Sequence, residues 1–284
     1  MSKVALVTDS TSYIPRDLRD RYPITVVPQV VIWEGKTYED DVTITPEQFY
    51  SRLRTAKVMP STSQASVVNM DKAFRALVEQ GYDVLGIFLS SKLSGTFQSA
   101  MQAREELASG REKIEVVDSN TTAMGMGFIV LAAARAAAEG ASLAECKALA
   151  EKARDHVGVY LTVDTLEFLH RGGRIGGAQR FLGTALNLKP ILAIEDGKIE
   201  AVERVRTRGK ALDRLVELVA EKCAGKSPVR IATLHADAEA DAKVMLDKIT
   251  MLVQPVESVF AAVSPAVGAH AGPGTAGLAW MAGM

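Results

Sequence analysis

Ser94, Gly95 and Thr96 form a hydroxyl-rich turn between an apolar run at residues 82–89 and a segment of helix-forming residues at 98–107. This pattern predicts a buried strand, a turn and the start of a helix. The first N–H groups of a helix lack partners within it and carry a partial positive charge, and glycine lets a ligand approach that backbone closely. The turn therefore indicates a site for a small anion such as a carboxylate or phosphate. The alternative is that Ser94 or Thr96 only caps the helix.

Other hydroxyl side chains also stand next to predicted elements. Thr62 and Ser63 belong to a polar cluster at residues 59–66. Predicted strands also open into turns rich in Asp, Ser and Thr at residues 9, 90 and 118. Because open α/β sheets bind ligands beyond the carboxyl ends of their strands, we expect these turns to share one edge and form a pocket.

His270 is the histidine best placed to join such a site, because it lies in a glycine-flanked segment that we interpret as a loop. The alternative is an ordinary hydrogen-bonded structural histidine. A Ser/His/Asp hydrolase could use Ser94 with His270, but the Gly-x-Ser-x-Gly elbow is absent around Ser94. The hydrolase is therefore the weaker hypothesis.

Metal and nucleotide cofactors are not expected. The 4 histidines show no metal-ligand spacing, and Asp40 with Asp41 is typical of a solvated turn. Residues 272–277 match the dinucleotide fingerprint Gly-x-Gly-x-x-Gly at every position. That fingerprint needs a βαβ unit of about 30 residues after it, which the remaining chain is too short to form.

Strands and helices alternate in the first half of the chain, which predicts a parallel α/β sheet. Residues 3–8, 24–33 and 113–117 are typical of buried strands. An alanine-rich helix is predicted from about Met124 to Glu139. We assign residues 1–158 to an N-terminal α/β domain that carries the carboxylate-binding loops.

Three capping boxes mark helix starts in the sequence. They pair Thr45 with Gln48, Ser142 with Glu145, and Asp164 with Glu167. The first also has a proline at the first helical position, which favours a helix there.

The second half has a different pattern. Asp196-Gly197 between two apolar segments predicts a tight antiparallel hairpin at residues 189–205. Helices are predicted at 210–224 and 238–252, and strands at 230–235 and 256–263. Residues 159–284 are therefore assigned to a C-terminal α/β domain with a mixed or antiparallel sheet. The tail at residues 264–277 is uncharged but too rich in Gly and Pro for a membrane helix.

Composition narrows the function classes. The chain has 284 residues, 48% of them hydrophobic and 24% charged, with a net charge of −1 at pH 7. Nucleic acid binding needs a basic surface that this balance does not supply. Cys146 and Cys223 lie in separate helical patterns and are expected to be free thiols in a reducing compartment. No signal peptide or membrane span is recognised, so we expect a cytoplasmic protein.

Six motifs, in order along the whole chain, resemble those of the DegV family. They are Asp9-Ser10, Ser61-Thr62-Ser63-Gln64, Leu93-Ser94-Gly95-Thr96, Arg171-Gly172-Gly173-Arg174-Ile175, Lys189-Pro190-Ile191 and His270-x-Gly272-Pro273-Gly274. The resemblance implies a two-domain α/β protein that binds one long-chain fatty acid between its domains and is not itself an enzyme. In the FakB-type branch, the bacterial protein presents the acid to a separate fatty acid kinase, in phospholipid metabolism. Transient contact with a membrane surface is compatible with that role.

The resemblance also implies roles for individual residues. Thr62, Ser94 and His270 would bind the fatty acid carboxylate, and Gly95 would offer its backbone N–H. Ser63 and Thr96 would be additional ligand-binding residues. Arg174 and Arg206 would belong to a basic surface that meets the kinase. One departure is Ala65, where the family often has proline, and this affects loop rigidity rather than binding.

Burying a carboxylate is costly unless it is hydrogen-bonded, and a bond to an ionised group contributes about 1.5–3 kcal/mol. Our hypothesis is that the neutral hydroxyls of Thr62 and Ser94 offset this cost without an arginine, and so leave the carboxylate oxygen nucleophilic. A lipid-sensing regulatory protein without a kinase remains an alternative, as does a hydrolase that uses Ser94.

Overall fold

The structure is a computed structural model that describes residues 3–183 and 188–284. Its strands, in chain order, are β1 (Val4–Asp9), β2 (Ile24–Val27), β3 (Val30–Trp33), β4 (Lys36–Glu39), β5 (Ser61–Ser63), β6 (Asp83–Phe88), β7 (Ile114–Asp118), β8 (Val157–Thr162), β9 (Lys189–Glu195), β10 (Lys198–Val205), β11 (Val229–His235), β12 (Glu257–Val259) and β13 (Ala276–Ala282). The α-helices are α1 (Arg16–Arg19), α2 (Pro46–Leu53), α3 (Val67–Glu79), α4 (Thr96–Glu106), α5 (Ala123–Ala138), α6 (Leu143–Ala153), α7 (Glu167–Arg171), α8 (Arg208–Cys223), α9 (Glu239–Val253) and α10 (Pro265–Ala271). Short 3₁₀ helices cover Ser10–Ser12, Arg111–Lys113, Arg154–His156 and Gly176–Phe181.

The first sheet is parallel, with the strand order β2-β1-β6-β7. This confirms the parallel sheet predicted from the alternation of strands and helices. The turns at the carboxyl ends of its strands bind one another. Asp9 Oδ2 accepts the backbone N–H of Leu89 at 2.9 Å, and Asp118 Oδ2 accepts that of Ser91 at 3.2 Å. The three polar turns therefore share one edge of the sheet, as expected.

The second sheet has six strands in the order β10-β9-β8-β13-β11-β12. Its pairs are antiparallel except β11 with β12, so the predicted mixed sheet is confirmed. The predicted strand at 256–263 is shorter, because only Glu257–Val259 pairs with β11. The sequence left the structure of the tail open. The tail contains α10 and then β13, which lies inside the sheet between β8 and β11.

A third, antiparallel sheet has the order β4-β3-β5. The apolar run 24–33 was interpreted as one strand, but it divides at Pro28 and Gln29 into β2 and β3, which join different sheets. Proline interrupts the run because it has no N–H to donate to a ladder. Thr62 lies on β5, directly opposite Val31 of β3.

Helix α5 contacts β1 and β6 of the first sheet and β8, β11 and β13 of the second. Its residues are buried on nearly all sides, which explains a sequence that is apolar around the whole helix. The division into domains 1–158 and 159–284 stays a prediction, since this helix packs against both sheets.

The capping boxes of α2 and α6 are confirmed, since both reciprocal bonds form in each. The third box is wrong. Helix α7 starts at Glu167 with Leu166 as its N-cap, and the Asp164 carboxylate instead pairs with Lys189 and Arg208. Cys146 and Cys223 are free and buried. No helix in the described part of the chain is long and apolar enough to cross a membrane.

Candidate functional site

A cavity with about 1060 Å³ of empty space, including its open mouth, lies where the polar turns of the first sheet meet the second sheet and α10. Most of its lining is apolar. The apolar side chains are those of Leu89, Leu93, Ala123, Val159, Leu161, Leu169, Ile194, Ile199, Leu234, Val263, Ala266, Val267 and Ala271. The polar ones are those of Thr11, Gln29, Thr62, Ser63, Gln64, Ser94, Thr122, Arg174, His270 and Thr275. The cavity is therefore amphipathic.

Thr62 and His270 meet at the polar part of this lining. Thr62 Oγ1 lies 2.7 Å from His270 Nε2. The prediction that His270 lies in a loop is wrong, because it belongs to α10. Ser264 caps that helix and Pro265 occupies its first turn, so a short but regular helix fixes the imidazole opposite β5.

The His270 imidazole is neutral at pH 7. Burial, together with the nearby positive charge of Arg174, lowers its pKa to about 4. Its Nδ1 is buried without a hydrogen-bond partner. An N–H there would face a cation without an acceptor, so we place the proton on Nε2, which then donates to Thr62 Oγ1. The Thr62 hydroxyl hydrogen is left to donate to a ligand.

Ser94, Gly95 and Thr96 form the start of α4, as predicted. Gly95 is the N-cap and makes no side-chain capping bond. Ser94 Oγ accepts the N–H of Thr96 at 3.3 Å and lies 3.0 Å from Thr96 Oγ1. Ser94 therefore has a local capping contact and lines the cavity as well, so the two interpretations of this turn are not exclusive.

Gly95 has an ordinary backbone angle, and a side chain there would displace the flexible end of the Gln64 side chain. A Cβ at this position would lie 2.5 Å from Oε1 of Gln64, whose side chain covers the glycine. Gly95 and the buried Thr96 stand behind Ser94 and are not among the residues that line the cavity. Donation from Gly95 N–H to a ligand stays a prediction.

Arg174 lines the cavity. The hypothesis from the sequence, that neutral hydroxyls bind the carboxylate without an arginine, therefore does not describe this lining. Its Nε donates to the carbonyl of Leu93 at 3.0 Å and its Nη1 to that of Gly172 at 2.7 Å. These bonds hold a half-buried guanidinium next to the turn that carries Ser94. Arg206 is exposed directly after β10 and does not line the cavity. Partner docking by either arginine stays a prediction.

Sequence reasoning missed several polar residues of this region. Gln29 was a weak signal, as the single amide side chain in the largely apolar run 24–33. Asp40 was wrongly interpreted as part of a solvated turn. It is 1% exposed and accepts the Ser10 hydroxyl at 2.7 Å, and burial raises its pKa to about 7. Within residues 3–183 and 188–284, no three His, Cys, Asp or Glu side chains come together in a group that could hold a metal ion.

The fold and the site together define a class: α/β proteins with an amphipathic cavity between a parallel and a mixed sheet. Residues 3–283 match the model of the DegV family, which is described as a family of uncharacterised proteins. The chain belongs to this family. A DegV domain-containing protein of Caldanaerobacter subterraneus is 37% identical over 278 residues, 98% of each chain. Protein DegV of Bacillus subtilis is 34% identical over 281 residues, again 98% of each.

Solved structures agree with this membership. A fatty acid-binding DegV family protein of Thermus thermophilus superimposes with a TM-score of 0.93 at 37% identity, covering 99% of both chains. DegV of Bacillus subtilis, described as a fatty acid binding protein, gives 0.90 at 32% identity and covers 99% of this chain and 100% of its own. These matches confirm the predicted fold class.

Proposed function

We propose that this protein binds a single long-chain fatty acid. Its carboxylate accepts from Thr62 and Ser94, His270 completes the site by holding the Thr62 hydroxyl, and the acyl chain lies along the apolar lining. The observation that carries the proposal is the Thr62–His270 contact at the polar part of an otherwise apolar cavity. The fatty acid-binding relatives of Thermus thermophilus and Bacillus subtilis support it.

The two parts of the ligand contribute differently. Each buried CH₂ contributes about 0.8 kcal/mol, so a long acyl chain supplies most of the affinity. The hydroxyl donors offset the cost of removing the carboxylate from water, at about 1.5–3 kcal/mol for each bond to the charged group. A ligand of this kind dissociates slowly into water.

We therefore expect protein produced in bacteria to retain a fatty acid through purification. Mass spectrometry of an organic extract should find about one fatty acid per protein chain. An empty protein that binds no added fatty acid after delipidation would contradict the proposal.

Ser94→Ala tests the carboxylate site itself. The variant should bind fatty acid about tenfold more weakly, because it loses one bond to a charged group. Ser91→Ala is the matched control, since Ser91 is exposed in the same turn and uses only its backbone N–H for the contact with Asp118. Equal affinity of Ser94→Ala and the parent protein would show that the head group binds elsewhere.

The protein would act as a presenting subunit rather than as an enzyme. A partner fatty acid kinase would transfer a phosphoryl group to the carboxylate oxygen and form an acyl phosphate. Hydrolysis by Ser94 finds less support, because Nε2 of His270 is occupied by Thr62 and Ser94 Oγ pairs with Thr96. The free, buried thiols of Cys146 and Cys223 support a reducing, cytoplasmic location.

Kinase docking is tested separately from lipid binding. Arg206→Glu should slow acyl phosphate formation by the partner kinase and leave fatty acid affinity unchanged, because Arg206 is exposed and outside the cavity lining. Lys222→Glu, at the other end of α8, is the control with the same charge reversal. Equal kinase turnover in both variants would remove Arg206 from the docking surface.

A further inference from the structure

Gln29 is buried in the link between β2 and β3 and has one face on the cavity. Its backbone N–H donates to Ser10 Oγ at 3.0 Å, which fixes the link in place. Its side-chain amide contacts Thr96 Oγ1, with Nε2 at 2.8 Å and Oε1 at 3.1 Å. The amide is also close enough to the carboxyl group of Asp9 to lower its pKa, although burial raises that pKa overall.

Asp9 determines which way the Gln29 amide faces. Burial raises the pKa of Asp9, but its two oxygens already accept from Thr11 N–H, Thr11 Oγ1 and Leu89 N–H, so we assign it the role of an acceptor. An NH₂ group has two donors and a carbonyl oxygen has none. The amide nitrogen can therefore donate to both Asp9 and Thr96. In a flipped amide, the oxygen would face the Asp9 acceptor and no hydrogen bond would form between them.

The donors around Thr96 then determine where its single hydroxyl hydrogen goes. Thr96 Oγ1 accepts from Gln29 Nε2 at 2.8 Å and from the backbone N–H of Ala65 at 3.4 Å. With both lone pairs used, the hydroxyl has one hydrogen to donate. Two acceptors lie within reach of it, Ser94 Oγ at 3.0 Å and Gln29 Oε1 at 3.1 Å. We assign the hydrogen to Ser94 Oγ, because the Gln29 amide already donates to this hydroxyl through Nε2.

Ser94 is left as a donor. Its Oγ accepts from the Thr96 N–H at 3.3 Å and, with the Thr96 hydrogen assigned in this way, from the Thr96 hydroxyl at 3.0 Å. Both lone pairs are used, so the remaining Ser94 hydrogen points toward an acceptor in the cavity that it lines. A chain of donors that runs in one direction polarises each successive bond.

We propose that Gln29 is a positioning residue: held by Asp9, it acts through Thr96 to make Ser94 an obligate donor. The cavity therefore prefers a head group that only accepts, an ionised carboxylate, over an alcohol of the same chain length. This inference rests on the proposed function, because it assigns the head-group specificity of the same site.

The test compares binding of laurate with binding of dodecanol, at a mildly alkaline pH at which the acid is ionised. Gln29→Met removes the amide donors, Thr96→Val removes the hydroxyl, and Thr96→Ser retains it as the conservative control. We expect the first two variants to lose about tenfold in laurate affinity while dodecanol affinity changes less than about twofold. Thr96→Ser should have the same ratio of laurate affinity to dodecanol affinity as the parent protein.

Two results would overturn the inference. One is a laurate affinity equal to that of the parent protein in both Gln29→Met and Thr96→Val. The other is an equal loss for both ligands in folded variants, which would indicate only a packing role. If the parent protein binds neither ligand, the proposed function itself fails. If Ser94→Ala weakens laurate binding and Gln29→Met does not, only the role of Gln29 fails.

Discussion

Thr62 Oγ1 and His270 Nε2 lie 2.7 Å apart, although 208 residues separate them in the chain. Thr62 comes from β5, in the small antiparallel sheet, and His270 from α10, near the end of the chain. The polar part of the cavity therefore forms only when these two distant segments pack together. A ligand that binds both residues also stabilises that packing.

We expect the His270 side chain to stay neutral at pH values well below those at which a histidine usually becomes protonated. In the folded protein its imidazole should titrate near the lowered pKa of about 4, and in urea near 6.5. Added fatty acid should raise the folded value, since a nearby anion favours the imidazolium. NMR of the imidazole resonances measures all three. A folded pKa near 6.5 would contradict the buried, partnerless Nδ1.

Asp40 should make stability depend on pH in the opposite direction from most carboxylates. Its folded pKa of about 7 lies above the unfolded value of 3.8, so its contribution is complete below pH 3.8 and is lost as the pH rises through 7. Asp41, Tyr13 and Tyr50 face this carboxyl group and oppose its ionisation when they carry negative charge.

Asp40→Asn removes this titration. Relative to the parent protein, the variant should gain free energy of unfolding as the pH rises from about 4 to 8, by up to a few kcal/mol. The comparison also removes the effect of His270, whose lowered pKa acts with the opposite sign between 6.5 and about 4. Urea denaturation at a series of pH values measures the difference. A constant difference would mean that Asp40 does not titrate in this range.

Local signals in the sequence predicted much of the fold. The capping boxes of α2 and α6 and the Asp196-Gly197 hairpin depend on neighbouring residues alone, and each forms as predicted. The elements that were missed depend on distant partners. Strand β13 is rich in Ala and Gly, which have weak strand preference, and it is a strand because β8 and β11 pair with it on both sides.

The site was predictable to a similar extent. Thr62, Ser94 and His270, which the family motifs singled out, line one cavity, while their binding of a carboxylate stays a prediction. Asp40 was missed because its polar sequence neighbours are typical of an exposed turn, while its burial depends on packing against distant residues such as Ser10 and Ser264. The helical position of His270 was missed because α10 is short and small-residue-rich, although Ser264 and Pro265 gave a start signal.

The tip of the β9–β10 hairpin should tolerate no side chain at Gly197. Ser90 Oγ donates to the Gly197 carbonyl at 2.8 Å. A Cβ at Gly197 would collide with Ser90 Oγ. Gly35 is a matched control, because it has the same φ of +75° and nothing within 4 Å of its would-be Cβ. Both alanine variants carry the backbone strain of a positive φ, but only one disturbs the contact.

We therefore expect Gly197→Ala to lose about 1–3 kcal/mol more than Gly35→Ala in free energy of unfolding. Urea denaturation provides the comparison. Gly197→Ala should also release fatty acid faster, because Ile194 and Ile199 of this hairpin line the cavity. Equal losses in both variants would mean that the Ser90 contact adds nothing to the strain.

The apolar lining should determine acyl chain length. Val159 of β8 is 2% exposed and lines the cavity, so Val159→Phe places extra volume where we propose the acyl chain lies. Each CH₂ displaced from the cavity forfeits about 0.8 kcal/mol, so affinity should fall more for longer acids than for shorter ones. Titration with a series of saturated fatty acids, and mass spectrometry of the lipids retained in purification, should both show the shift.

Val244→Phe, at a 48% exposed position of α9, makes the same substitution away from the cavity and should leave the preference unchanged. An unaltered chain-length profile in Val159→Phe would place the acyl chain outside this part of the lining.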